Sequence, residues 1–397
     1  MQENKIKMTD GMKKAVDYID SNSSYIDRAV ESQCAVWRGE KTELPVLALS
    51  CPHTEEQKTW LSQYDLKEIH HDSEKMFVNG LCETLTAVNG NYGAVPSMRA
   101  NMGCGIVPSL FGGQQRLFRD IMPWLVDHAK KEDIEKLPEN HEFKIDDSAE
   151  FADAMRHMEF MTEKLRENGL AGKVFVYPLD LQGPTDTAHL ILGDSIFYEF
   201  YDDPEFVHHL LKLSNRAIYF AMDECFERMD KSGEFIAHYN HLILPKGIGG
   251  VKISEDTTTL LSPLLIDEFA KPHLCETLEH FGGGYVHYCG KNDHLLNVLL
   301  GEPRAAGINF GNTEMHDMTK VLALCRENKK VYAGAVNKKE GEAPFDYFVR
   351  VLEPCYDALA GCFRIILQYG CPMDERADVI GEFERAAEHV KRYYDKR

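Results

Sequence analysis

In the stretch Gly284-Tyr285-Val286-His287-Tyr288-Cys289-Gly290, a histidine and a cysteine stand two residues apart at the end of a short apolar run. In extended chain, residues i and i+2 project to one face. His287 and Cys289 can therefore aim an imidazole and a thiolate at one point, two ligands suited to zinc. Taken alone, His-x-Cys is more often a buried strand whose polar residues are satisfied, since free Cys is among the most buried residue types. Further candidates bear on that choice. Cys371 follows the apolar run Phe363-Arg364-Ile365-Ile366-Leu367, within Gly370-Cys371-Pro372. His238 and His241 sit at another expected strand end, where either could donate a proton or supply a fourth ligand. Asp186, Glu255 and Asp256 also follow strand-like runs and could face a pocket, although carboxylates in turns are usually solvated or capping. Arg99 could bind a substrate carboxylate bidentately, with a surface salt bridge as the alternative. Cys355 and Cys362 read as packing residues.

The elements that must position these residues follow from the hydrophobic pattern. Residues 10–38 read as helix, and Gly39 with the polar residues after it ends that segment. Leu44-Pro45-Val46-Leu47-Ala48-Leu49 is a continuous apolar run bounded by breakers, as suits a parallel sheet covered on both faces. Helical patterning returns over 55–64 and 73–88, followed by a Gly- and Pro-rich segment over 90–113. Residues 115–170 read as a mostly polar helical insert lying outside the core. A strand is expected over 173–179. A long helix then runs over 203–230, with Asp203 as its cap and Pro204 at its first position. Beyond it, strand-like runs over 234–241, 249–254, 284–289, 305–310, 330–335 and 363–367 alternate with helices of ordinary length. This alternation calls for βαβ units and a parallel sheet. The number of units fits an α/β fold of the (β/α)8 TIM barrel type. It comprises an N-terminal helical extension (1–43) and a barrel (44–397) that carries the insert. No Gly-x-Gly-x-x-Gly turn supports a dinucleotide-binding fold. In such a barrel the strands' C-terminal ends surround one mouth. His287, Cys289 and Cys371 would converge there as three zinc ligands with a fourth position open, the pattern of a catalytic rather than a structural site.

Bulk properties exclude some partners. The chain of 397 residues carries 64 acidic and 44 basic side chains, a net charge of −20. That balance argues against a phosphate backbone or an anionic membrane surface as the partner. Eleven cysteines are scattered without framework spacing, no run reaches membrane-spanning length, and the start of the chain lacks a signal-type apolar segment. The expectation is a reducing cytoplasm, where Cys and His clusters serve metals or catalysis before disulfides.

Several motifs in succession resemble the uroporphyrinogen decarboxylase superfamily. They are Leu181-Gln182-Gly183-Pro184-Thr185, Asp202-Asp203-Pro204-Glu205-Phe206-Val207, Ile253-Ser254-Glu255-Asp256 with Leu261-Ser262-Pro263, and Val286-His287-Tyr288-Cys289-Gly290. True decarboxylases of that superfamily carry an Arg-Gln-Ala-Gly-Arg-Tyr motif, an Asp in a Ser-Asp-Ile segment and a late Gly-His. This chain instead has Ser50-Cys51-Pro52-His53, Gly103 and Gly370-Cys371 at the corresponding places.

The resemblance is closer to the corrinoid-dependent methyltransferase branch, whose His-x-Cys and later Gly-Cys fall on His287, Cys289 and Cys371. It implies bound zinc and a methyl group exchanged between a corrinoid protein and a small acceptor or donor, of the thiol or methyl ether/methylamine class. His238, His241 and Asp186 are then the candidate catalytic residues, and Arg99 and Glu255 the candidate substrate-binding ones. The chain has no Asp-x-His-x-x-Gly segment of its own for a corrinoid, so a separate corrinoid protein is the expected partner. A homodimer is compatible with the sequence. Two alternatives stand beside this reading: decarboxylation of a tetrapyrrole, and a non-catalytic binding or storage barrel whose metal is closed by a fourth protein ligand such as His238.

Overall fold

A computed structural model describes residues 8–230 and 233–394. The expectation for the first few residues of the chain lies outside these. The strands that matter for the site are β1 (Val46–Ser50), β2 (Ser97–Met98), β3 (Phe175–Val176) and β4 (Val251–Ser254). They continue with β5 (Gly284–Tyr288), β6 (Ala305–Phe310), β7 (Val331–Gly334) and β8 (Ile365–Gly370). Six of them form one sheet in the order β1-β8-β7-β6-β5-β4, parallel at every pairing. β2 and β3 pair in parallel with each other. The chain after β3 reaches β4 through a parallel bridge between Gln182 and Ser254. The protein is thus an α/β fold with a central parallel sheet and many helices, an arrangement consistent with a TIM-barrel-like fold.

The strands are apolar along their length because both faces are covered. Leu47, Leu49, Val286, Tyr288, Ile365 and Leu367 pack in the main core. Their alternates Val46, Ala48, Tyr285, Val331, Ala333 and Ile366 meet on the opposite side around Trp37 and Leu244. Trp37 reaches this inner layer because Gly307 of β6 has no side chain: a Cβ there would lie 2.7 Å from the indole ring and 2.5 Å from the Val331 carbonyl oxygen. The N-terminal segment is therefore part of the packing. It forms two helices, Asp10–Ser21 and Ile26–Arg38, instead of one run.

Two other expectations change. The insert does not stay outside the core. Its last helix, Ala149–Glu167, buries Phe151, Ala154, Met155, Met158 and Met161, a stripe at three- and four-residue spacing that needs a partner surface. The insert's first part is a two-stranded antiparallel ribbon, Gln114–Arg116 with Trp124–Asp127. The segment over 234–241 is not a lone strand. It is one arm of an antiparallel hairpin, Phe235–His238 with Leu242–Pro245, turned by Asn240 and His241 in left-handed conformation (φ 59° and 61°).

Candidate metal centre

The C-terminal ends of the parallel strands open on a cavity of ≈1540 Å³, walled by residues in or just after β2 through β8 and by Met122, Trp124 and Leu125 of the insert. His287 and Cys289 both line it, as their two-residue spacing requires. Tyr288 between them points the other way and is fully buried. The Cys289 Sγ lies 3.5 Å from His287 Nε2. Asp256, on the turn after β4, brings Oδ1 to 3.9 Å from the same nitrogen and accepts the Cys289 backbone N–H at 2.6 Å. One ligand atom from each of the three lies within 4.8 Å of the others, and among the described residues this is the one such group of three or more donors. Tetrahedral zinc, with bonds of roughly 2.0–2.3 Å, places neighbouring ligand atoms roughly 3.3–3.8 Å apart. The N, S, O set is therefore compatible with a bound metal ion and leaves one position uncommitted.

A side chain behind His287 fixes which nitrogen is offered. Asn309 of β6 donates from Nδ2 to the Ala333 carbonyl at 2.5 Å, so its Oδ1 must face the histidine. Oδ1 accepts from His287 Nδ1–H, which leaves the Nε2 lone pair directed at Cys289 and Asp256. Asn309→Leu removes that acceptor and is expected to weaken zinc binding about 10–100-fold, the usual cost of losing an outer-shell partner of a ligating histidine; competition with a chromophoric chelator measures it. Gly311 serves the same group by its smallness, since a Cβ there would stand 2.4 Å from the Cys289 sulfur.

Electrostatics set the proton count. Burial, then the positive charge of Lys252, lower the His287 pKa, so the imidazole is neutral and ready to ligate. Burial, then the Asp256 charge, push the Cys289 thiol up to about 11. Below that value the free thiol holds its proton, whereas the metal-bound form does not. Ion uptake at pH 7–8 is therefore expected to release one proton, from Cys289, and affinity to rise about tenfold per pH unit. Calorimetry in buffers of different ionisation enthalpy reads that stoichiometry.

Cys371 stands apart from this group. It follows β8, whose end pairs with β1. Its N–H donates to the Ser50 carbonyl at 3.2 Å, and its sulfur rests 3.8 Å from that of Cys51. Both thiols line a separate small cavity. Asp256, and not Cys371, is the third donor that lies with His287 and Cys289.

Glu255 does not reach the cavity wall. Ser254 and Asp256 face the cavity, so the residue between them faces back. Its carboxylate is fully buried and accepts from Thr258 Oγ1 at 2.5 Å. Asp186 does line the cavity, but both its oxygens are engaged, accepting the backbone N–H groups of Asp256 (2.7 Å) and Thr257 (2.5 Å). Burial and the nearby Asp256 charge raise it to about 7. Its evident work is to hold the turn that presents Asp256.

The two histidines of the hairpin also lie off the cavity wall. His238 packs edge-on against Tyr285, and burial lowers it to about 3. His241 meets Ser97 Oγ at 3.3 Å, and its carbonyl accepts from Val95 and from Gln33. It ties the hairpin to β2 and the Ile26–Arg38 helix.

Arg99 does face the cavity, within a network that the sequence did not reveal. Its guanidinium pairs with Asp180 at 3.4 Å and lies over the rings of Tyr177 and Tyr239. Lys252 approaches the other Asp180 oxygen at 3.7 Å. Burial alone would raise Asp180; the Arg99 and Lys252 charges outweigh it and hold the carboxyl below its ordinary value. Nearby, Glu83 accepts from the Tyr177 hydroxyl at 3.1 Å. No described helix is long and apolar enough to cross a membrane.

No protein-family model matches the chain, and no curated protein matches it in sequence. Among solved structures it is similar to a methyltransferase from Methanosarcina mazei, with a TM-score of 0.60 over 88% of this chain and 96% of that one, at 14% identity. At that identity the likeness is one of fold: the chain shares the architecture of that methyltransferase.

Proposed function

We propose that the chain is a zinc-dependent methyltransferase that moves a methyl group between a small molecule in the cavity and a corrinoid carried by a separate protein. The observation that carries this reading is the convergence of His287, Cys289 and Asp256 on one wall of a large cavity at the C-terminal edge of a parallel sheet. In the full reading the eight strands close as a (β/α)8 barrel, whose mouth is where active sites of that fold lie. The likeness in fold to a methyltransferase supports the reaction class.

His287, Cys289 and Asp256 would hold the ion. Zinc at such a site supplies a Lewis acid that lowers the pKa of a bound thiol or polarises a leaving heteroatom. The chain's own residues do the rest. Asn309 orients the imidazole, and Asp186 presents Asp256. Arg99, Lys252 and Asp180 form a charge-compensated wall that positions the non-reacting part of the substrate. Met122 and Trp124 stand where the insert can shield the reactants from water. Methyl transfer is an in-line displacement, so orientation supplies much of its acceleration.

The tetrapyrrole decarboxylase alternative fits the cavity less well. Glu83, Asp180, Asp186, Asp194 and Asp256 line it against Arg99 and Lys252 alone, and both cations are already in reach of Asp180. A polyanionic substrate would face a net negative wall. A closed storage site would need a fourth protein ligand, and His238, the residue the sequence offered for it, is not on the wall. The test is to mix the zinc-loaded protein with free methylcobalamin and a panel of small thiols or methyl ethers, following the cobalt absorbance. Zinc-dependent transfer with at least one partner is expected. Decarboxylation of uroporphyrinogen by the metal-free protein, with no transfer, would overturn the reading.

A further inference from the structure

Cys51 and Cys371 play no part in the chemistry above, yet the fold brings them together. β1 ends at Ser50 and β8 at Gly370, which are register partners in the parallel ladder. The next residue on each strand is a cysteine, and the Cys371 N–H to Ser50 carbonyl bond (3.2 Å) carries the pairing past the strand ends. Parallel neighbours lie roughly 4.8 Å apart, inside the Cα separation of about 4.4–6.8 Å that a disulfide spans. The two sulfurs are 3.8 Å apart, in van der Waals contact. Every cysteine in the chain is a free thiol, and these two are within hydrogen-bonding reach of each other. Both residues are buried but line a cavity of ≈490 Å³ with Pro52, Thr86 and Pro372, and Cys371 is the more exposed, at 7% against 1% for Cys51.

We propose that Cys51 and Cys371 form a thiol-modification site, a dithiol that exchanges with low-molecular-weight disulfides and closes a reversible intramolecular disulfide. Cys371 attacks as its thiolate, having given its proton to solvent. The small disulfide's S–S bond breaks, a mixed disulfide forms on Cys371, and the first small thiolate leaves and takes up a proton. Cys51, likewise deprotonated, then attacks the Cys371 sulfur and releases the second small thiol. Two protein thiols lose two electrons and two protons, and the small disulfide gains both. The exchange does not depend on the metal reading, since Cys371 lies outside the group of His287, Cys289 and Asp256.

The test uses the full-length protein, reduced, desalted and treated with oxidised glutathione, then alkylated and mapped by peptide mass spectrometry. Loss of two of the eleven thiols, a Cys51–Cys371 linked peptide and reversal by dithiothreitol are expected. The Cys51→Ser variant should stop at a glutathione adduct on Cys371. Retention of all eleven thiols in the wild type would overturn the proposal. So would a lasting glutathione adduct on Cys371 beside reduced Cys51, or a link from Cys371 to Cys289. The wild-type map decides the matter even if the variant fails to fold.

Discussion

Cys289→Ser is expected to lose bound zinc while keeping the fold. A structural zinc site binds with roughly 10–16 kcal/mol in total, so one strong ligand accounts for about 3–4 kcal/mol. Removing it lowers affinity about 10²–10³-fold. His287→Ala should do the same, because the imidazole is the nitrogen around which Cys289 and Asp256 are arranged, at 3.5 and 3.9 Å. Neither side chain is deep in the apolar core. His287 is about one-fifth exposed and Cys289 partly so, so stability without metal should change little. Atomic absorption after dialysis, with far-ultraviolet circular dichroism on the same samples, separates loss of the ion from loss of structure.

The largest effect on stability is expected at Arg99. Its side chain is 10% exposed and is the nearest cation to Asp180. Arg99→Leu would leave Asp180 to Lys252 alone, across 3.7 Å, and would strip both tyrosine rings of their cation. A buried charge left with no partner costs about 3–5 kcal/mol; with Lys252 still in reach the loss is expected to stay below that, a fall of up to about 4–6 °C in melting temperature at about 2.1 cal/mol/K of unfolding entropy per residue. Arg99→Leu combined with Asp180→Asn should cost less than the sum of the two singles, since the two side chains interact directly at 3.4 Å. A double variant as unstable as the sum of the two singles would show that Arg99 acts by packing alone.

How much of this was legible in the sequence follows from the range of each signal. His287 and Cys289 could be read as a pair because the period of two in a strand is local and obligatory. The parallel sheet was legible from apolar runs bounded by breakers. Cys371 was placed at a strand end, which is correct, but a strand end does not say which way its side chain turns; the pairing of Ser50 with Gly370 turned it toward Cys51. Glu255 and Asp256 were equally plausible on paper. The phase of one turn put Asp256 on the cavity and Glu255 behind it, and no local signal carries that phase. Asn309, whose role depends on β6 lying beside β5, had no sequence signature. The apolar stripe of Ala149–Glu167 was visible at helical spacing and was outweighed by the polar residues around it. The Arg99–Asp180–Lys252 network joins residues from three separate parts of the chain and exists only in the folded protein.

Metal content tests the central claim most directly. Wild-type protein, purified in metal-free buffers and given one equivalent of zinc, should retain close to one ion per chain after dialysis, and the variant carrying both His287→Ala and Cys289→Ser should retain none. A wild-type protein that keeps no zinc, or a double variant that keeps it fully, would contradict the account.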